Sequence, residues 1–289
     1  MGICPVNRGK LGAMRHPGNL CRFALAATLL VSCSKQKGQP EAQPSAELRL
    51  QKPSGQAMTA DELAHADGTV NYSIVSKGNI PDEARKLHEQ GRAAGGAGNH
   101  AEALALFAKA HAAAPDWAYP TYDAAFTYEL MDQPDKALAS YEEVLKLEPC
   151  GFFNAISSAD CLRREARAEW PAGTCKAYAM VEWLSPGEQK NALEALVAKA
   201  PSLAIAWKDL AGHLDDSAAR LQALDRGLAQ RPDPQTRGVL LVNKAATLNT
   251  LGRRAEARRI LSALVAEPAL PSDVEQIAKL SLSQLDVKQ

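Results

Sequence analysis

Of the six cysteines in this sequence, three lie close enough together along the chain to be considered for a disulfide or a metal site. Cys150, Cys161 and Cys175 lie in one stretch of the chain. In an oxidising compartment a disulfide could join Cys175 to either of the other two. A continuous helix would hold Cys150 and Cys161 about 16 Å apart, which is too far for those two to pair. The alternative is three buried small residues, and no metal site is expected because residues 150–203 contain no histidine to complete a zinc ligand set.

The rest of the sequence carries no catalytic signature. It contains no Gly-x-Ser-x-Gly, no His-Glu-x-x-His and no phosphate-binding glycine loop. Its histidines are scattered, and its carboxylates are distributed as on solvated helix faces. We therefore predict a protein that is not an enzyme, with no catalytic residue and no cofactor.

The composition suits a helical protein. The chain has 289 residues, of which 46% are hydrophobic and only 5% are aromatic. It is rich in Ala and Leu, which lose little conformational freedom in a helix. The formal net charge is zero, and no concentrated cationic face of the kind that binds nucleic acid is indicated.

The N-terminal segment is typical of an export signal. Residues 23–32 form a short apolar run behind Arg15 and Arg22, and a bilayer span needs about 20 apolar residues. The run ends in Leu-Val-Ser-Cys at residues 30–33, which resembles the bacterial lipobox. The resemblance implies that residues 1–32 are removed and that Cys33 is lipidated. In Gram-negative bacteria it also implies anchoring to the outer membrane, facing the periplasm or the cell surface.

Two features of this segment stay open from the sequence. The first is the start, because Met14 would begin a more typical signal than Met1. The second is the processing, because Cys33 could also be an ordinary small residue at a normal signal cleavage site.

Residues 33–80 are interpreted as a tether of low order behind the lipid. The first half is dominated by Gln, Pro, Ser and Gly, which cannot bury enough apolar area to order a chain. Residues 61–66 could form a short helix, and residues 70–75 alternate like a strand. Either could pack against the helical region that follows.

A repeat of 34 residues dominates the next part of the chain. Comparing residues 84–117 with 118–151 aligns Ala103 with Ala137 and Phe107 with Tyr141. Pro115 and Pro149 also align, and each would end a helix. These positions resemble the tetratricopeptide pattern, in which helix A and helix B form an antiparallel hairpin. The resemblance implies an all-α, tetratricopeptide-like helical-hairpin solenoid over residues 81–289, with a signal peptide and a flexible tether before it.

The later part of the chain follows the same pattern more loosely. Further repeats are expected at residues 204–234 and 238–271, with a capping helix over residues 273–286. Residues 152–203 diverge and make the centre of the solenoid irregular. There we predict a helix from Phe152 to Glu169, a second from Thr174 to Leu184, and a third that ends at Lys199. The third would begin at a capping box in Ser-Pro-Gly-Glu, residues 185–188.

The family resemblance also points to a binding groove. In related proteins positions 2, 5, 9 and 12 of helix A line the concave face. In the second repeat this set is aromatic, and in the first repeat it is basic. With the tryptophan that precedes them, the partner-binding candidates are Trp117, Tyr119, Tyr122, Phe126, Glu129, Arg85, His88 and Arg92. The aromatic members could anchor a partner's side chains, or they could pack against neighbouring helices.

The leading hypothesis is a lipid-anchored envelope scaffold that binds a protein or peptide partner in this groove. By resemblance, outer-membrane assembly or secretion and pilus assembly are suitable settings. A second hypothesis is a small envelope enzyme, or an enzyme-associated module, that uses residues 150–203. A deep polar pocket with a perturbed carboxylate would favour it, whereas a filled apolar core would count against it. The third is a structural spacer whose concave face is already covered.

Overall fold

Antiparallel helical hairpins make up most of this computed structural model, which describes residues 79–286 and the backbone of two strands at residues 46–51 and 71–76. The helices follow one another in chain order along an array. They are α1 Asp82–Gly96, α2 His100–Ala113, α3 Ala118–Leu130, α4 Pro134–Leu147, α5 Ala155–Ala166, α6 Thr174–Ala179, α7 Pro186–Lys199, α8 Ala204–Gly212, α9 Ser217–Ala229, α10 Pro234–Thr250, α11 Arg254–Val265 and α12 Ser272–Asp286.

The first two hairpins, α1–α2 and α3–α4, confirm the 34-residue repeat. Ala103 and Ala137 are fully buried and let the two helices of each hairpin approach. Phe107 and Tyr141 fill the equivalent space beside them. The approach is closest at Gly91, where an added Cβ would lie 2.6 Å from a ring carbon of Phe107. The small and aromatic residues of the repeat therefore set the spacing of the helices.

Two further hairpins, α8–α9 and α10–α11, lie where the looser repeats were expected, and α12 covers the end of the array. The guanidinium groups of Arg254 and Arg258 on α11 both donate to the carbonyl of Leu285. They satisfy a backbone oxygen atom of the kind that the end of a helix leaves unpaired. The predicted capping helix is thus present, and α11 holds its C-terminal turn.

The central segment differs in detail from the prediction. Its first helix begins at Ala155 rather than at Phe152, because Gly151 and Phe153 adopt left-handed backbone conformations with φ of 97° and 46°. Its second helix, α6, ends at Ala179 and continues as a 3-10 turn over Met180–Trp183. The third helix, α7, begins at the predicted capping box.

This segment also connects the centre of the array to its end. The Ser157 hydroxyl on α5 lies 2.9 Å from the Thr236 hydroxyl at the start of α10. The Gln235 side-chain amide donates to the carbonyl of Phe153 and, over 2.8 Å, to the Asp273 carboxylate. Contacts between α5, α10 and α12 therefore join the centre of the array to its end, and the repeat pattern alone does not predict them.

The two strands, β1 Ala46–Gln51 and β2 Asn71–Ser76, pair antiparallel with Ala46 opposite Ser76. Strand β2 lies where the alternation at residues 70–75 indicated one. Strand β1 lies within the segment interpreted as a tether and was not predicted. The signal peptide, Cys33 and the helix considered at residues 61–66 fall outside the described residues. Among the helices that are described, none combines the length and the apolar character needed to cross a membrane.

Candidate functional site

The predicted groove on α3 is filled by the protein's own side chains. Trp117, Tyr122, Phe126 and Glu129 are all buried, and Tyr119 is half-buried. The expectation of an open aromatic groove at these residues is therefore wrong for this structure, and the alternative of packing against neighbouring elements holds. Internal contacts occupy the face of α3 that the family pattern assigns to a partner.

The residues that fill this groove come from the loop before α5. The ring centroid of Phe152 lies 5.0 Å from that of Tyr119 and 5.5 Å from that of Tyr122. Phe153 lies 5.3 Å and 5.2 Å from the same two rings. Aromatic pairs of this kind stabilise a core beyond the area that they bury. The divergent segment thus places two phenylalanines where a partner was expected.

The basic edge predicted on α1 is also largely engaged. The Nε2 atom of His88, which is buried, lies 2.8 Å from the Asp123 carboxylate on α3. The Nε atom of Arg92 lies 3.6 Å from the same carboxylate oxygen. Arg85 is exposed, and its guanidinium donates to the carbonyl of Ile80 over 3.2 Å. Of the three predicted basic residues, Arg85 is the one exposed to solvent.

Glu129 is a buried acid at the end of the same helix. Its carboxylate accepts a 2.9 Å hydrogen bond from the hydroxyl of the fully buried Tyr141. Burial, with smaller contributions from the charges of Glu165 and Glu182, raises the pKa of Glu129 to about 7. Three carboxylates from α3, α5 and the 3-10 turn are thus within electrostatic reach of one another.

A disulfide braces the divergent segment. It joins Cys161 on α5 to Cys175 on α6, which is one of the two pairings that the sequence left open, and Cys150 lies outside this pair. The Glu165 carboxylate accepts hydrogen bonds from the backbone N–H groups of Gly173 and Cys175 over 3.0 and 2.8 Å. The start of α6 is therefore fixed both covalently and by hydrogen bonds.

The 3-10 turn after α6 presents an apolar surface that sequence reasoning missed. Met180, Trp183 and Leu184 are 40%, 53% and 38% exposed, and we call these three residues the Trp183 patch. The indole of Trp183 stacks on Phe126 of α3, with ring centroids 6.4 Å apart. The sequence does contain a signal for this turn. Apolar residues end just before Ser185-Pro186, and a proline disfavours the helical conformation in the residue before it, so the helix is expected to end near these apolar residues.

The turn that carries the Trp183 patch is held on its C-terminal side as well. Ser185 and Glu188 form the capping box that begins α7. The side-chain amide of Gln189 donates to the carbonyl of Leu184 over 3.0 Å. With the disulfide on the other side, the patch is presented on a pre-organised element, which lowers the entropy lost on binding.

A small depression elsewhere in the divergent segment bears on the enzyme hypothesis. It lies between α5 and the loop before α10, with Ser157, Asp160 and Asp233 in its lining. Burial, followed by the charge of Asp233, raises the pKa of Asp160. The depression's volume of about 10 Å³ is close to the minimum for a single water molecule. The rest of the segment packs an apolar core with Trp170, Leu193 and Val197.

Metal binding is not indicated in this part of the protein. Among residues 79–286, no group of three or more His, Cys, Asp or Glu side chains is arranged so that it could hold a metal ion. The carboxylates of Glu129 and Glu165 are instead engaged in hydrogen bonds within the fold.

Comparison with known proteins finds similarity at the level of structure. No protein-family model and no curated protein sequence matches the chain. Solved structures similar to it include YrrB, a TPR protein with an unusual peptide-binding site, at 16% identity and a TM-score of 0.33, covering 71% of this chain and 92% of that one. A second is TTC0263 from Thermus thermophilus, at 15% identity and a TM-score of 0.32, covering 71% of this chain and 100% of that one. A third is the TPR2AB domain of yeast Sti1 in complex with pHSP90, at 13% identity and a TM-score of 0.34, covering 71% of this chain and 86% of that one.

The class of fold follows from the packing of the helices themselves. Consecutive helices pair in antiparallel hairpins, and each hairpin packs on the next along the chain. The 34-residue spacing of small and aromatic contacts in the first two hairpins is the tetratricopeptide arrangement. The protein is a tetratricopeptide-like helical-hairpin solenoid with an irregular, disulfide-braced centre.

Proposed function

We propose that this protein is a non-enzymatic scaffold of the bacterial cell envelope that binds a protein partner through the Trp183 patch. The exposed patch is the observation that carries the proposal. Met180, Trp183 and Leu184 are three of the four large hydrophobic residues that are exposed among the described residues, and they lie within five positions. Clustered exposed apolar side chains on a rigid element are typical of interaction sites, and tryptophan is prominent among binding hot spots.

The location in the envelope is part of the proposal. The apolar run and the lipobox-like end at Cys33 support a lipid anchor at the outer membrane, with the array facing the periplasm. An oxidising periplasm also suits the Cys161–Cys175 disulfide. Outer-membrane assembly and secretion or pilus assembly are settings in which such an anchored scaffold would act. Mass spectrometry of the mature N-terminus should find a lipidated Cys33, and an unmodified or uncleaved N-terminus would contradict this part.

The proposed binding surface differs from the groove that the sequence predicted. Because Phe152, Phe153 and Trp183 cover the inward residues of α3, the partner contacts the covering element rather than α3 itself. YrrB and the Sti1 domain are described as peptide-binding or partner-bound, and we propose a protein partner here as well. The surface used belongs to the divergent segment, where the repeat pattern is interrupted.

The test is cross-linked capture from membranes of cells that express the full chain. A variant in which Met180, Trp183 and Leu184 are changed to Ala, Ala and Ser should lose the partner that the wild type captures. The matched control is Leu251→Ala, which removes the fourth exposed hydrophobic residue, 45% exposed, at the end of α10. Loss of the partner in the first variant alone supports the proposal. A partner retained by the patch variant, or no specific partner for the wild type, overturns it and favours a structural spacer.

A further inference from the structure

The Trp183 patch packs against an acidic part of the molecule. Residues 79–150, which contain α1 to α4, have 12 acidic and 6 basic residues. Residues 217–286, at the other end of the array, have 7 acidic and 10 basic residues. The patch itself belongs to the intervening residues 151–216, which have 9 acidic and 7 basic residues, and it packs on the acidic α1–α4 region through the stacking of Trp183 on Phe126. A partner segment that reaches it therefore approaches through a region of negative potential.

The acidic character continues beside the patch. Glu182 lies within the 3-10 turn itself, and its charge and that of Glu165 both act on the buried Glu129. Asp132, which follows the end of α3, is exposed and lies 3.6 Å from Lys176 on α6. Of these acidic residues, Glu165 and Glu182 contribute negative charge near the turn, whereas Glu129 is partly protonated near pH 7 and the charge of Asp132 is offset by Lys176. The electrostatic complement of the patch is consequently a positive charge.

The indole of Trp183 is placed to contact such a charge. One of its faces stacks on Phe126, while 53% of the residue remains exposed. A cation over the face of a tryptophan ring is attracted by the negative charge density of the ring, and tryptophan is the best of the aromatic residues for this contact. Met180 and Leu184, on either side in the sequence, provide an apolar surface for the neighbouring side chains of the partner.

We infer that the occupant of the Trp183 patch is a segment of a partner protein that carries a lysine or arginine beside large apolar side chains. This inference rests on the proposed function. The cationic group lies against the indole and in the field of Glu182, and the apolar side chains lie on Met180 and Leu184. An acidic or purely apolar segment would meet the same hydrophobic surface but would be opposed, or not attracted, by the surrounding carboxylates.

The experiment is selection of a displayed library of random 12-residue peptides on the full mature chain, with counter-selection on Trp183→Ala. The expected result is a consensus with Lys or Arg within two positions of Trp, Phe or Leu. A synthetic consensus peptide and its version with each Lys and Arg changed to Gln are then compared for binding. Removing the cations should weaken binding about 10-fold or more, in keeping with a partly desolvated cation–π contact.

Variants of the protein sharpen the test. Glu182→Gln should weaken binding of the consensus peptide about 5-fold and reduce its dependence on salt, because one attractive charge is removed. Leu251→Ala and Glu194→Gln, which change exposed residues outside the patch, should leave binding unchanged. Circular dichroism of each variant confirms that the fold is intact before binding is measured.

The outcomes separate this inference from the proposed function. A consensus without cations, an equal affinity of the Gln peptide, or no enrichment that depends on Trp183 overturns the inference. The proposed function still stands in those cases if patch-dependent capture from membranes succeeds. Binding of anionic lipid vesicles or of a second copy of the chain at the patch, in place of the peptide, also overturns the inference.

Discussion

The buried carboxyl of Glu129 makes the stability of the array depend on pH in a direction that can be calculated. Its ordinary pKa of 4.5 rises to about 7 in the fold, mainly because of burial. Folding therefore favours the protonated form, and the unfolded chain loses this proton at a lower pH. The stability that this group contributes is fully present below pH 4.5 and is lost as the pH rises through 7. The loss between about pH 5 and about pH 8 is about 2.5 kcal/mol.

The substitution Glu129→Gln isolates this effect. Glutamine resembles the protonated acid in shape, and its oxygen can still accept the hydrogen bond from Tyr141. Urea unfolding followed by circular dichroism should show the variant gaining about 2.5 kcal/mol of stability relative to the wild type between about pH 5 and about pH 8. The exposed Glu194→Gln serves as a control and should follow the wild type at every pH. A difference between Glu129→Gln and the wild type that stays constant over this range would contradict a raised pKa of Glu129.

Two further predictions concern the brace and the packing of the array. Replacing both Cys161 and Cys175 by Ala should lower the free energy of unfolding by about 3 kcal/mol, because the disulfide closes a loop with a sequence separation of 14. An unfolding midpoint in urea close to that of the wild type would contradict this prediction. Gly238→Ala should destabilise the protein by about 1–3 kcal/mol, because the new Cβ would lie 2.2 Å from a methyl carbon of Val274. The control Gly187→Ala has no neighbour within 4 Å and should be neutral or slightly stabilising in the same urea titrations.

The parts of the fold that local sequence determines could be predicted. The alanines and aromatic residues that recur every 34 residues specify α1 to α4. Each of them packs within its own hairpin or against the adjacent one, so its effect can be predicted from nearby sequence. The capping box at Ser185 and Glu188 determines the start of α7 for the same reason. Such signals act over a few residues, so they survive even where the repeat pattern fails.

The site could not be predicted in the same way, because it depends on contacts between distant residues. The family positions on α3 included Tyr122 and Phe126, but they did not indicate that Phe153 and Trp183 would pack against them. The left-handed conformation of Phe153 has no sequence signal, since this region is usually occupied by glycine. The displacement of the exposed aromatic surface from α3 to the 3-10 turn follows from these tertiary contacts.

The hydrogen bonds between α5 and the start of α10 affect how the repeat array unfolds. In an open repeat array each unit touches only its neighbours, so terminal units can fray one after another. Here Ser157 and Thr236 are 79 positions apart, and the Phe153 and Gln235 contact spans 82. These bonds couple the start of α10 to the middle of the chain, and the bond from Gln235 to Asp273 couples the start of α12 to the same point. The region from α5 to α12 should act as one mechanical and cooperative unit, slower to form than a simple stack of hairpins and less elastic once formed.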